Sequence, residues 1–355
     1  MEKQNYQGKG NHQASYREKL AGDTVRCILC PHCCILQDGK TGICRTRENF
    51  GGELYSMSYG NPCSISIDPI EKKPLFHFFP GSEIYSIATA GCNFHCLNCQ
   101  NWSISQELSF EQRRNNLSPD EVVKEALLHN SGSIAFTYTE PTVFYEYIFD
   151  IAKIARGKGI KTVLISNGYI NEKPLLELCR WLNAANIDLK CFDDSIYKKL
   201  TGGRLQPVLD TLKTLKKNGV WLEITNLIIP GWSDSPEMIK SMCGWLADNG
   251  FKDTPLHFSR FFPNYRLSQL LPTPESSLVK AREIAEKAGI KYVYIGNIPD
   301  LHGENTSCPA CGHRIVEREG YLVKQNDIKA NPDDKNPFRK GLCRYCEEAI
   351  SGVWK

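Results

Sequence analysis

Sixteen cysteines in a chain of 355 residues are the side chains with the most chemistry to offer, and they are grouped. The tightest group lies in Gly91-Cys92-Asn93-Phe94-His95-Cys96-Leu97-Asn98-Cys99-Gln100-Asn101-Trp102. Its Cys-x3-Cys-x2-Cys spacing puts three thiolates on one compact loop, and soft sulfur ligands suit an iron–sulfur cluster or zinc. Three ligands differ from four in their consequence. A cubane held by three cysteines leaves one iron without a protein thiolate, and an open metal position takes a substrate or cofactor. The competing reading is a structural zinc knuckle completed by His95 or Cys63.

Two further groups flank it. Cys27, Cys30, Cys34 and Cys44 provide four ligands for a closed metal site, with Cys33 spare and His32 able to replace one cysteine. Zinc and a second iron–sulfur cluster both fit that spacing. Cys308, Cys311, Cys343 and Cys346 form two Cys-x2-Cys knuckles, most simply a structural zinc site, with an auxiliary cluster left open by the long gap between them. Cys179 and Cys243 fall in helical patterns and read as small buried hydrophobes. Cys191, directly after Asp188-Leu189-Lys190, is left unassigned.

The elements that must position these groups follow from periodicity. Short β-rich runs at 84–89, 133–138, 161–166, 186–190, 220–228, 254–260 and 291–295 alternate with helical patterns. Ser118-Pro119-Asp120-Glu121 offers an N-cap, a proline at N1 and a capping-box glutamate. Further helices are expected near 142–156, 174–183, 205–217, 235–248 and 275–288. Repeated βα units mean a parallel sheet, either a partial barrel or a doubly wound sheet. The expected division is a Cys-rich metal-binding region at 1–80, a barrel at 81–300 and a zinc-ribbon-like module at 301–355.

Composition excludes several classes. A formal charge of +3 is too near balance for nucleic-acid binding by electrostatics. Hydrophobic residues at 41% and the absence of a bilayer-length apolar run argue against a membrane protein. The N-terminal stretch has no apolar segment of signal-peptide type, so a cytoplasmic location is expected, where cysteines serve metals rather than disulfides.

In parallel barrels the chemistry gathers at the C-terminal strand ends, and here those ends are polar. They carry Glu140 in Thr137-Tyr138-Thr139-Glu140-Pro141-Thr142, then Ser166-Asn167-Gly168, Asp188 with Lys190, and His257. Glu223, Asn226 and Asn297 are weaker candidates for the same cavity. Ordinary alternatives exist: a helix-start carboxylate at Glu140, an Asn-Gly turn at 167–168, a structural histidine at 257. Two charges facing a barrel interior, as at Asp188 and Lys190, need a ligand or partner.

The central loop, with its spacing after the first barrel strand, resembles the radical S-adenosylmethionine (radical SAM) superfamily. That resemblance implies an α/β fold, a partial (βα)6 TIM-like barrel with small Cys-rich metal-binding modules at both ends. It implies a 4Fe–4S cluster on Cys92, Cys96 and Cys99 whose free iron binds SAM, and an electron donor such as flavodoxin or ferredoxin. Reductive cleavage of SAM would give methionine and a 5′-deoxyadenosyl radical that abstracts hydrogen. Glu140, Ser166, Asn167, Asp188, Lys190 and His257 match positions that contact SAM in relatives. Asn98 stands where the superfamily often has an aromatic residue, leaving Phe94 and Trp102 as candidates for an adenine contact.

The resemblance extends further. The segment Cys30-Pro31-His32, the stretch from Asp68 to Phe78, Cys99-Gln100-Asn101-Trp102, Cys308-Pro309-Ala310-Cys311-Gly312 and Ser351-Gly352-Val353-Trp354 are similar to the AmmeMemoRadiSam-system radical SAM enzymes. These are akin to pyruvate formate-lyase activating enzymes, and the resemblance implies Memo-type and AMMECR-type proteins as partners. A glycyl-radical-enzyme activase is the alternative enzyme reading. A zinc-stabilised binding module without catalysis is the alternative from another class.

Overall fold

A computed structural model describes residues 12–107, 116–298, 303–332, 334–338 and 341–354. Its centre is one sheet of eight strands whose spatial order follows the sequence: β1 (Pro62–Pro69), β2 (Glu83–Thr89), β3 (Ser133–Phe136), β4 (Lys161–Ser166), β5 (Ala184–Asp188), β6 (Trp221–Ile228), β7 (Leu256–Arg260) and β8 (Val293–Gly296). β2 to β8 run parallel, and β1 joins β2 antiparallel as an edge strand. Strands such as β3, buried at every position, are apolar on both faces because helices cover one side and the barrel interior the other.

The crossovers are helical: α1 (Pro119–Leu128), α2 (Tyr145–Gly157), α3 (Glu172–Cys179), α4 (Asp194–Thr201), α5 (Leu205–Lys217), α6 (Pro236–Asp248) and α7 (Glu275–Lys287). This is an open, partial α/β barrel, one of the two arrangements that the alternation allows and the one that the radical SAM resemblance implies. The capping box at α1 is formed: Ser118 Oγ accepts from Glu121 N, and Ser118 N donates to Glu121 Oε2 at 2.6 Å. Cys179 and Cys243 are buried in helices. Among the described residues no helix is long and apolar enough to cross a membrane.

Two differences from the sequence reading concern the site. β5 ends at Asp188, so Lys190 lies beyond the strand rather than on it. α4 is an added helix, N-capped by Asp193 and closed by Gly202 in the left-handed conformation, and its C-terminal end meets the central cysteine loop.

The expected boundary at residue 80 also cuts through structure. β1 belongs to the central sheet, and residues 70–79 pack Ile70, Leu75 and Phe78 against Ile84, Ala135, Val163, Ala184 and Trp221. Ile84, Ala184 and Trp221 stand at or next to the N-terminal ends of β2, β5 and β6, so this segment plugs the barrel opposite the strand ends from which the central loop leaves. Arg318, from the C-terminal region, donates to Phe76 O at 2.7 Å and so ties that region to the plug.

Residues 12–56 form two small three-stranded sheets rather than a loop-rich module alone. Their Val25, Leu29, Leu36 and Leu54 join the main core with the barrel residues. The buried Arg47–Glu146 ion pair at 2.5 Å fixes this region to α2.

Candidate functional site

The central cysteine loop leaves the C-terminal end of β2 and is held at defined points. His95 N donates to Thr201 O at 2.8 Å and Leu97 N to Leu200 O at 2.9 Å, so the loop leans on α4. Phe94 is its anchor, fully buried against Tyr169 and Tyr197. A Cβ on Gly203 would stand 2.2 Å from the Phe94 ring, so the loop seats only because residue 203 has no side chain. Phe94 is therefore a core residue and not a free aromatic surface. Trp102 stacks on Tyr265, with ring centroids 5.5 Å apart.

The strand ends converge on this loop. Asn167 Nδ2 donates to Asn93 Oδ1 at 2.9 Å and lies 3.9 Å from Cys92 Sγ, which also receives Phe94 N at 3.3 Å. Gly168 makes that approach possible: its φ is +70°, and a Cβ there would meet Ile187 at 2.9 Å. Lys190 pairs with Asp188 at 2.6 Å. Desolvation opposes the Lys190 charge, but Asp188 and the neighbouring Cys96 and Cys99 outweigh it and raise the ammonium above its ordinary range. Burial pushes the Cys96 thiol up to about 12 and the Cys92 thiol well above its usual range. Metal binding at such thiols must expel protons.

Glu140 organises the neighbouring turn. Its Oε1 accepts from Thr142 N at 2.9 Å, Thr142 Oγ1 at 2.7 Å and Ser166 Oγ at 2.8 Å, and its Oε2 accepts from Asn167 N at 2.8 Å. Glu140 is thus a buried clamp between the ends of β3 and β4, already holding four protein donors. Burial raises its pKa, and those donors act in the opposite direction.

His257 does not join this group. It is buried on β7, with Nε2 at 2.6 Å from the Glu223 carboxylate and its ring stacked on Tyr294. Glu223 also accepts from Phe76 N at 3.0 Å and His77 N at 2.8 Å, so the pair fastens the plug. His257 is thereby committed to Glu223 and, through it, to the plug. Asn226 Nδ2 donates to Leu189 O at 2.7 Å, and Asn297 reaches Arg260 O at 3.3 Å.

Two features escaped the sequence reading. Asn93, between the cysteines, is the joint of the loop: its Nδ2 donates to Tyr169 O at 2.8 Å. Asp68 binds Lys73 at 2.5 Å, Lys72 at 2.8 Å and the Tyr138 hydroxyl. Tyr138, two residues before Glu140, has a φ of 63°. That left-handed non-glycine position is a signal no sequence pattern carries.

The flanking cysteines are also gathered. Cys27, Cys30, Cys34 and Cys44 line one cavity, whereas Cys33 is exposed. His32 Nε2 is at 2.8 Å from Asn93 O, so the histidine is committed to the central loop. At the other end, the Cys308–Cys346 and Cys311–Cys343 sulfurs are 3.6 and 3.7 Å apart. All four of these sulfurs lie within 4.8 Å of one another, a group able to hold a metal ion.

Residues 86–243 match the model of the Radical SAM superfamily. An uncharacterized protein of Methanocaldococcus jannaschii is 45% identical over 341 residues, covering 96% of this chain and 99% of its own length. The chain belongs to the radical SAM superfamily. It is related to the pyruvate formate-lyase activating enzymes: that of Escherichia coli is 22% identical over 222 residues, covering 58% of this chain and 89% of the relative. That of Clostridium pasteurianum is 28% identical over 157 residues, covering 43% of this chain and 64% of the relative.

A radical SAM enzyme implies a 4Fe–4S cluster and SAM, and the central loop suits them. Its three sulfurs do not meet the single-ion spacing of the C-terminal quartet. The Cys92 sulfur has N–H donors around it, and the cation Lys190 stands beside Cys96 and Cys99. Asn98 Oδ1, buried between Cys96 and Cys99 in sequence, is without a hydrogen-bond partner among the described residues.

Proposed function

We propose that the protein is a radical SAM enzyme of the AmmeMemoRadiSam type, with Cys92, Cys96 and Cys99 holding the SAM-binding 4Fe–4S cluster. When bound, cluster and SAM supply a one-electron reductive cleavage that yields methionine and a 5′-deoxyadenosyl radical for hydrogen abstraction. The chain's own residues do the positioning. Asn167 fixes Asn93 and borders Cys92, Glu140 clamps the turn that carries Ser166 and Asn167, and Lys190 places a cation beside Cys96 and Cys99. The Asp188–Lys190 pair is only partly buried, so it offers both charges to a ligand at the mouth.

The observation that carries this reading is the convergence of polar strand ends on a loop of three cysteines. A scaffold has no need for that convergence, which disfavours the binding-module reading. The AmmeMemoRadiSam assignment rests on motifs spread through both Cys-rich ends. The activase relatives match 58% of this chain or less, so the activase reading leaves those Cys-rich ends without a counterpart, whereas the M. jannaschii protein matches 96% of it. The same assignment proposes Memo-type and AMMECR-type proteins as partners, a flavodoxin or ferredoxin as electron donor, and zinc at Cys308, Cys311, Cys343 and Cys346.

The glycyl-radical-enzyme activase is the second reading, supported by the names of those relatives. Electron paramagnetic resonance (EPR) of the reduced protein tests the proposal. SAM is expected to alter the cluster spectrum of wild type, and the Cys92/Cys96/Cys99→Ala variant is expected to lack that response. A glycyl-radical doublet formed on a co-incubated glycyl-radical enzyme would favour the second reading.

A further inference from the structure

The four cysteines of the N-terminal region come from separate turns yet face one space. Cys27 ends the strand Val25–Cys27, Cys30 and Cys34 follow on the next turn, and Cys44 comes from a later one. A Cβ on Gly42 would lie 3.7 Å from both the Cys34 and the Cys44 sulfur, so these two flank a single point of backbone. Cys33, with φ 46°, is exposed instead. The cavity is closed by the buried Arg47, whose Nη1 lies 4.0 Å from Cys27 Sγ and whose Nε lacks a hydrogen-bond partner among the described residues.

The spacing of the sulfurs separates the metals. One zinc ion with bonds of about 2.3 Å draws four thiolates to within roughly 4 Å of one another. The C-terminal quartet has that form, with every sulfur within 4.8 Å of the others. Among the described residues no other group of three or more such side chains is gathered in this way, neither Cys27, Cys30, Cys34 and Cys44 nor Cys92, Cys96 and Cys99. A cubane carries its irons on separate corners and therefore needs its thiolates farther apart. Neither the N-terminal quartet nor the central loop is gathered as narrowly as the zinc-like group.

We infer that Cys27, Cys30, Cys34 and Cys44 hold a second 4Fe–4S cluster, beside the central cysteine loop. His32, two residues from Cys30, bonds Asn93 O at 2.8 Å, and Asn93 follows Cys92. Asn171, at the start of α3, fastens the same N-terminal turn to the barrel, donating through Nδ2 to Ile28 O at 2.8 Å and through its backbone N to Leu29 O at 3.0 Å. Asn93 also lines the cavity of the N-terminal quartet, so the two cysteine groups are neighbours. The comparison of spacings rests on the radical SAM reading of the central loop, and the test separates the two.

Metal and sulfide are counted in the full chain purified anaerobically. Wild type is expected to hold about eight irons and about one zinc per chain. The Cys30→Ser/Cys34→Ser variant is expected to lose about half the iron while keeping its zinc and the EPR response to SAM. The Cys92/Cys96/Cys99→Ala variant is expected to keep the other half. A wild type with about four irons and two zincs overturns the inference, as does a cysteine 30/34 variant that loses zinc and not iron. Should that variant fail to fold, the wild-type count decides by itself. A triple variant that keeps all its iron would instead overturn the radical SAM reading of the central loop.

Discussion

The side-chain amide of Asn167 bridges a strand end and the metal loop: its Nδ2 donates to Asn93 Oδ1 at 2.9 Å and lies 3.9 Å from Cys92 Sγ. Asn167→Ala leaves the buried Asn93 oxygen without this donor, at a cost of about 1–3 kcal/mol. The metal-loaded variant is expected to melt at lower temperature and to show an altered EPR spectrum of the reduced cluster. An unchanged melt and spectrum would remove this joint from the account.

Glu140 is surrounded by donors only, so Glu140→Gln turns an N–H group toward the Asn167 N–H or the Thr142 and Ser166 donors. The substitution is expected to destabilise by about 1–3 kcal/mol and to weaken SAM binding while iron content holds. Equilibrium binding of SAM to the reconstituted protein measures this. Wild-type affinity in both Glu140→Gln and Glu140→Ala would show that the clamp does not position the cofactor.

Gly203→Ala places a methyl group against the Phe94 ring at 2.2 Å. Overpacking of this kind costs about 1–3 kcal/mol, and here the strain falls on the cysteine loop. Reduced iron retention with little change in zinc is the expected result. Full iron retention would mean that the loop shifts without loss.

Acid sensitivity follows from His77. Burial lowers its pKa to about 4, with Nδ1 at 2.6 Å from Ser351 O and Nε2 at 2.5 Å from the Tyr294 hydroxyl. Between that value and the ordinary 6.5, the unfolded chain binds a proton that the folded chain refuses. Stability therefore falls as pH drops from about 6.5 toward 4, by roughly 3 kcal/mol in total. Urea melts across that range are expected to show the loss, and His77→Gln is expected to flatten it. A variant with the full wild-type pH slope would assign the acid sensitivity to other groups.

Much of this was legible in the sequence because strands and helices leave local periodic marks. Both ends of each of the seven parallel strands lie within two residues of their expected positions, and the Ser118 capping box is formed as its spacing implies. The polar ends carrying Glu140, Asn167 and Asp188 were visible for the same reason. What escaped depends on pairing across long distances. His257 has the same strand-end setting as Asp188, but its partner Glu223 is on another strand and is held there by residues 76 and 77. β1 is half exposed and begins and ends with proline, so it lacks the apolar run of a central strand. Asn93 reads as an ordinary loop residue until Tyr169, Asn167 and His32 are brought to it.

The most direct measurement is anaerobic turnover of SAM by the reconstituted, reduced wild type and the Cys92/Cys96/Cys99→Ala variant, read as 5′-deoxyadenosine. The account predicts product from wild type and none from the variant. Equal product from both, or a wild type that binds only zinc at the central loop and forms none, would contradict it.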